Sequence, residues 1–277
     1  MSRGTAHAAR RLAPGTGRPG DAVIPVAVTP VQAVAIVLAG VGAGTVNTIV
    51  GSGSLITFPT LVALGFPPVV ANVSNTVGLV PGSASGSFGY RRELVGQRSR
   101  MVRLGIAAAL GGLTGGLLLL ALPASTFDQI VPVLILVACA LVVLQPRLSR
   151  ALAARRPGGG EHWIAITALT YLTAIYGGYF GAAQSVILIA LLAIFVPDDL
   201  QRLNGLKNVL TLVVNAVAAL LFVFVAPVAW DAAVLVAVGS IVGGQVGAVV
   251  GRRLSPLVLR GAIVAVGAVV AVRMLLP

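Results

Sequence analysis

Residues 203–216, LNGLKNVLTLVVNA, place Asn204, Lys207, Asn208, Thr211 and Asn215 at i, i+3, i+4, i+7 and i+11. On an α-helix these offsets fall on one face, and the other faces here are almost wholly aliphatic. Lys207 is the only lysine in a chain whose other cations are all arginines. One ammonium set among neutral hydrogen-bond donors is chemistry for holding an anion. The competing use is snorkelling, with the stem along the helix and the charge at the headgroups. Snorkelling does not call for three amides and a hydroxyl on the same face, since such groups each cost roughly 2–7 kcal/mol to bury against an apolar phase unless they meet partners or a cavity.

Two further stretches fit the same chemistry. VGSGS (50–54) and FGAAQS (180–185) each open a short apolar run. They offer Gly51, Ser52, Gly53 and Ser54 in one case, and Gly181, Gln184 and Ser185 in the other. Small residues at a helix N-terminus leave backbone N–H groups and the positive dipole end accessible to an anion; close helix packing is the alternative use of such residues. ANVSNT (71–76) adds Asn72, Ser74, Asn75 and Thr76, which can hydrogen-bond a solute or a neighbouring helix. Pro81-Gly82 should kink the helix that carries them. Tyr176 and Tyr179 read more readily as interface anchors.

Other chemistries are excluded or weakened. The seven acids, Asp21, Glu93, Asp128, Glu161, Asp198, Asp199 and Asp231, all fall in the N-terminal stretch or in predicted loops, whereas a proton or sodium carrier of the usual kind shows a carboxylate within its spans. No Cys/His spacing suggests a metal, no cofactor is expected, and the single Cys139 cannot form an intramolecular disulfide. A serine of GSGS with Lys207 as base would make a hydrolytic dyad, but the two histidines, His7 and His162, lie in the N-terminal stretch and at a span edge. An anion channel and a non-transporting scaffold remain open beside a carrier.

The elements that must position these residues are membrane helices. The chain is 57% hydrophobic and 9% charged, with mean hydropathy +1.01, so an all-α polytopic membrane protein is expected, with the bilayer as its partner. The net charge of +12 is spread over short loops, a pattern of membrane topology and not of nucleic-acid binding. Residues 1–28 read as a disordered tail and 29–277 as one transporter domain; a homo-oligomer is neither required nor excluded.

Ten segments are predicted, at about 30–50, 53–66, 69–89, 103–122, 128–145, 162–180, 183–196, 202–226, 231–251 and 256–276. Gly51 and Pro67 recur as Gly181 and Pro197 at one constant offset. This suggests two repeats of five segments, about 30–145 and 162–276, each with one short or broken segment. Arg91, Arg92, Arg98, Arg100 and Arg103 lie between the third and fourth segments of the first half, whereas Arg252, Arg253 and Arg260 lie between the fourth and fifth of the second. The positive-inside rule then makes the repeats inverted, with ten crossings and both termini outside. Eight crossings, with the short segments re-entrant and the termini inside, is the rival.

VNTIVGSGSLITFPTLVALGFPPVVANVSNTVGLVPGSASG (46–86), YGGYFGAAQSVILIALL (176–192) and LNGLKN (203–208) resemble the two halves of the sulfite exporter TauE/SafE family over roughly residues 30–277. The resemblance implies a permease of the bacterial inner membrane for small sulfur-containing anions such as sulfite, sulfoacetate or related organosulfonates. The expected substrate-binding residues are Lys207, Asn204, Asn208, Asn215, Ser52, Ser54, Asn72, Ser74, Asn75, Gln184 and Ser185, with Gly51, Gly53 and Gly181 at the helix openings.

Overall fold

The computed structural model describes residues 28–153 and 163–250, with Gly261, Val264, Ala265, Ala268, Val269 and Val272 beyond them. The expected tail, Arg252, Arg253 and Arg260, and most of segment 256–276 lie outside the described residues. Among those described the structure is helix and turn, with no strand: α1 (Pro30–Ile49), α2 (Ser54–Ala63), α3 (Pro68–Gly89), α4 (Arg98–Ala121), α5 (Ala124–Ala153), α6 (Trp163–Tyr179), α7 (Gln184–Phe195), α8 (Leu200–Val225) and α9 (Trp230–Val250).

Local signals explain the ends. Thr29 caps α1 in a reciprocal box with Gln32, and Pro30 takes the first helical position, where its missing N–H costs nothing. Asp199 caps α8 by accepting from the Gln201 N–H. Helices α1, α4, α8, α9 and the Ala124–Leu144 part of α5 are long and apolar enough to cross a bilayer. Most of the predicted bounds agree within two residues. Helix α4 begins five residues earlier than expected and α5 four earlier. Arg98, Arg100 and Arg103 therefore stand on the first turns of α4, and Asp128 on α5, instead of in loops. A helix need not end where its apolar run meets the headgroups, because charged side chains there reach water.

The packing of the first half on the second is symmetric under exchange. Helix α1 lies on α9 and α6 on α4, so the fourth helix of each half seats on the first helix of the other. Likewise α3 packs on α9 and α8 on α4, while α3 and α8 meet at the centre. Small residues make the seams close, as they do where dispersion and not water exclusion drives association. A Cβ on Gly78 would sit 2.7 Å from the Ala233 carbonyl oxygen, and one on Gly112 3.0 Å from that of Val214.

The same contacts give directions. Gly40 faces Val236 and Gly239 while Gly44 faces Ser240 and Gly244, so α1 and α9 run the same way; Gly78 on Ala233 and Gly82 on Ser240 make α3 parallel to both. Gly111 near Tyr171 and Gly115 near Ile175 align α4 with α6, and Gly112 on Val214 with Gly116 near Phe222 aligns α4 with α8. Gly205, in the first turns of α8, packs against Tyr90 and Glu93 just past the end of α3. Helices α3 and α8 are therefore antiparallel, and α1, α3 and α9 oppose α4, α6 and α8. Since α1 and α3 run the same way, the ten-residue α2 and its flanking breaks carry the chain back between them.

Candidate functional site

Both chain breaks that precede the short helices are turned by left-handed backbone. Gly51 has φ 94° and Gly181 φ 78°, conformations that cost an L side chain energy, and Ala183 adopts φ 59° despite its Cβ. The breaks meet each other. A Cβ on Gly51 would collide with the Ser185 side chain, and one on Gly181 would lie 3.9 Å from Ser54 Oγ. Neither Gly53 nor Ala183, the N-cap residues of α2 and α7, makes a side-chain capping bond. Two helix N-termini without side-chain caps thus open next to each other inside the bundle.

Lys207 stands on α8 beside them, wholly buried at 0% exposure. This burial rules out the snorkelling use. Its Nζ donates to the Asn47 carbonyl in the last turn of α1 at 3.5 Å, and Asn208 Nδ2 donates to the adjacent Thr48 carbonyl at 3.4 Å. Both bonds are long. The ammonium thus lies at the negative end of the α1 dipole, which favours a cation, and among the described acids none is paired with it. One turn further, Thr211 exchanges a 2.7 Å hydrogen bond with Ser185 of α7, which ties the second opening to the lysine face. Asn47 Nδ2 in turn donates to Ser83 on α3.

The other half of the centre has a related bond. Asn72 of α3 donates through Nδ2 to the Tyr179 carbonyl, the last residue of α6, at 3.0 Å. The third helix of each half therefore caps the C-terminal turn of the other half's first helix with an amide. Around this second cluster several buried polar atoms make no hydrogen bond among the described residues: Ser52 Oγ, Asn72 Oδ1, Asn75 Nδ2, Tyr179 Oη and both side-chain atoms of Gln184. Ser52 and Gln184 are each 1% exposed. Unpartnered polar groups at such burial are costly and uncommon.

Not every expected residue joins this centre. Ser74 accepts from the Ala229 N–H at the start of α9, and Asn75 Oδ1 accepts from Thr57 of α2, so both serve packing at least in part. Asn204 lies one turn outward from Lys207 and donates to the Tyr90 hydroxyl. Asn215 is buried two turns deeper on α8. Tyr176 donates to the Ala182 carbonyl and braces the second break from within; it is no interface anchor. The hydrolytic dyad receives no support, because Lys207 donates to a carbonyl of α1 and not to a serine. Sequence reasoning missed Asn47, Thr48, Ser83 and Tyr90. Asn47 and Thr48, separated from VGSGS only by Ile49, were the one legible signal.

Residues 36–274 match the family model described as Sulfite exporter TauE/SafE. The chain is similar to the probable membrane transporter protein YfcA of Escherichia coli K12, 25% identical over 234 residues, or 84% of this chain and 86% of that protein. It is similar to the probable membrane transporter protein ORF9 of a Sinorhizobium species, 23% identical over 84% of this chain and 88% of that one. A probable membrane transporter protein of Haemophilus influenzae is 24% identical over 76% of this chain and 81% of its own length.

Proposed function

This chain belongs to the sulfite exporter TauE/SafE family, and we propose that it is a secondary carrier of small sulfur-containing oxyanions, working by alternating access in a bacterial inner membrane. A member of this family is a multi-pass membrane transporter and not an enzyme; the cargo and the cycle are the proposal. Sulfite is the solute the family description names; sulfoacetate and related organosulfonates share its anionic sulfur–oxygen group and belong to the same proposal.

One observation carries the reading: Lys207 is a fully buried ammonium whose one hydrogen bond among the described residues is a 3.5 Å contact to the Asn47 carbonyl, beside two helix N-termini without side-chain caps. An isolated buried cation is costly unless a charge compensates it. A bound oxyanion supplies that charge, accepts from the backbone N–H groups of 52–54 and of 182, 183 and 185, those of Gly51, Gly181 and Gln184 being already bonded to carbonyls, and gives Ser52 Oγ, the Gln184 amide and Asn75 Nδ2 the partner they lack. Asn72 and Ser185 shape the same centre, and Asn208 holds α8 against α1.

The cycle follows from two halves that face opposite ways. The antiparallel α3 and α8, and the parallel pairs α1 with α9 and α6 with α4, support ten crossings in inverted repeats, as the loop arginines suggested. The face bearing Arg91, Arg92 and Arg98 is then cytoplasmic. Each described half supplies a helix to the core of the other, which supports a single transporter domain over 29–277.

Counterflow in proteoliposomes tests the carrier. Vesicles preloaded with unlabelled sulfite should take up labelled sulfite transiently above the equilibrium level. Flux that never overshoots and does not saturate would make the protein a channel, and no flux of any sulfur oxyanion would remove the transport reading.

A further inference from the structure

The central site is closed on the arginine-rich side by a seam between the two halves. The α3–α4 connection, residues 90–97, lies across the start of α8. Gln97, at its end, is buried and donates through Nε2 to the Arg202 carbonyl at 3.0 Å and to the Glu93 carbonyl at 2.9 Å. Arg202 answers by donating to the Val95 carbonyl at 3.1 Å. Tyr90 takes the Asn204 amide at 3.0 Å, and Tyr90, Glu93 and Leu94 press on Gly205. Asn204 precedes Lys207 by three residues on the same helical face, a rise of about 4.5 Å. The loop thus covers the end of that face nearest the arginines.

Asp198 fastens the seam. Its Oδ2 accepts from Arg100 of α4 at 2.5 Å and its Oδ1 from Arg202 Nε at 2.8 Å, while the Asp199 N–H donates to the same Oδ1 at 2.9 Å. One carboxylate is therefore held by two guanidiniums from opposite halves. That arrangement is also what a small oxyanion would require, since guanidinium groups bind carboxylates and oxyanions of sulfur or phosphorus by the same charge-assisted bonds.

We propose that residues 90–97 and the start of α8 form the gate on the arginine-rich face, and that Asp198 is an internal anion which holds it shut and yields Arg100 and Arg202 to the entering substrate when it opens. This rests on the carrier reading for its cargo, but not for the existence of the gate. An entering anion meets the two guanidiniums first, displaces the carboxylate that joined the halves, and passes along the α8 face to Lys207.

The test uses the full chain with Cys139→Ser and a reporter, Ser83→Cys, at the level of Lys207. Sealed vesicles presenting the arginine-rich face outward are treated with an impermeant maleimide. Asp198→Asn should raise the labelling rate about fivefold or more over the parent, as expected when a cross-seam ion pair is lost. Gln97→Ala, which opens the same seam without altering charge, should act in the same direction. The double variant Arg100→Gln/Arg202→Gln should also raise labelling, yet slow anion entry from that face, whereas Asp198→Asn should not slow it. Unchanged labelling in both Asp198→Asn and Gln97→Ala overturns the gate. Equal entry rates for Asp198→Asn and the double arginine variant overturn the hand-over of the guanidiniums. Labelling that follows the seam in a protein carrying no anion would leave the gate in place and remove the carrier.

Discussion

Replacing Lys207 by glutamine separates the two roles that the structure gives its ammonium. In the closed form it sits at the C-terminal turn of α1, and in the proposed complex it binds the oxyanion. Glutamine keeps a donor but removes the charge. A hydrogen bond to a charged group contributes about 1.5–3 kcal/mol. At 1.4 kcal/mol per factor of ten, the apparent affinity for the anion should fall roughly 10- to 150-fold. Stability should move the other way or not at all. A cation at a helix C-terminus gains about 0.3–2 kcal/mol, less than the several kcal/mol that desolvating an unpaired ammonium costs. Flux in proteoliposomes measured against sulfite concentration, with thermal denaturation in detergent on the same preparation, reads both quantities. Undiminished flux well below saturation would refute the anion role. A loss of flux matched by a comparable loss of stability would make Lys207 a structural cap on α1.

The two chain breaks give an opposed pair: Gly51→Ala places a Cβ at φ 94° and against Ser185, so it should cost about 1–2 kcal/mol from backbone strain alone, and more from the collision, and reduce transport. Ala183→Gly relieves φ 59° and should leave stability equal or slightly higher, as read by thermal unfolding. Gly44→Val and Gly178→Val, at the matched α1–α9 and α4–α6 seams, should each lose about 1–3 kcal/mol by overpacking. Gly105→Ala, with open space around it, should be neutral or stabilising by about 1 kcal/mol. At Asp198 burial raises the carboxyl pKa, but the Asp199 N–H, Arg100 and Arg202 together bring it below its ordinary value of 3.8. Its contribution to the seam is therefore complete above that value and is lost as pH falls through the lowered one. The ratio of the maleimide labelling rate of Ser83→Cys in the parent to that in Asp198→Asn, in which the falling thiolate fraction cancels, should stay flat from neutral pH down to about pH 4 and climb toward one only below it.

The helices were legible because nine of the predicted segments are apolar runs bounded by Gly, Pro or charge, and the environment of each run follows from its composition. The polar face of α8 was legible for the same reason, since 3.6-residue periodicity is a local property. The meeting of the two helix openings was accessible through the spacing of Gly51, Pro67, Gly181 and Pro197. What held Lys207 in place was not legible. Its partner is a backbone carbonyl of Asn47, and a carbonyl carries no signature in the side-chain alphabet. Ser74 and Asn75 look alike as binding groups in sequence, but Ser74 Oγ accepts from the Ala229 N–H and Asn75 Oδ1 from Thr57 while Asn75 Nδ2 is left without a partner, because only tertiary packing decides which polar atoms are spent. The Asp198 seam escaped notice because Arg100 and Asp198 are far apart in the chain, and loop charges read as topology alone.

Diffraction can place the bound anion itself. Selenite, the heavier congener of sulfite, should be bound to the protein and located by its anomalous signal. A peak is expected within hydrogen-bonding distance of Lys207 Nζ, between residues 51–54 and 181–185. A peak confined to the arginines at the surface, with Lys207 still on Asn47, would contradict it.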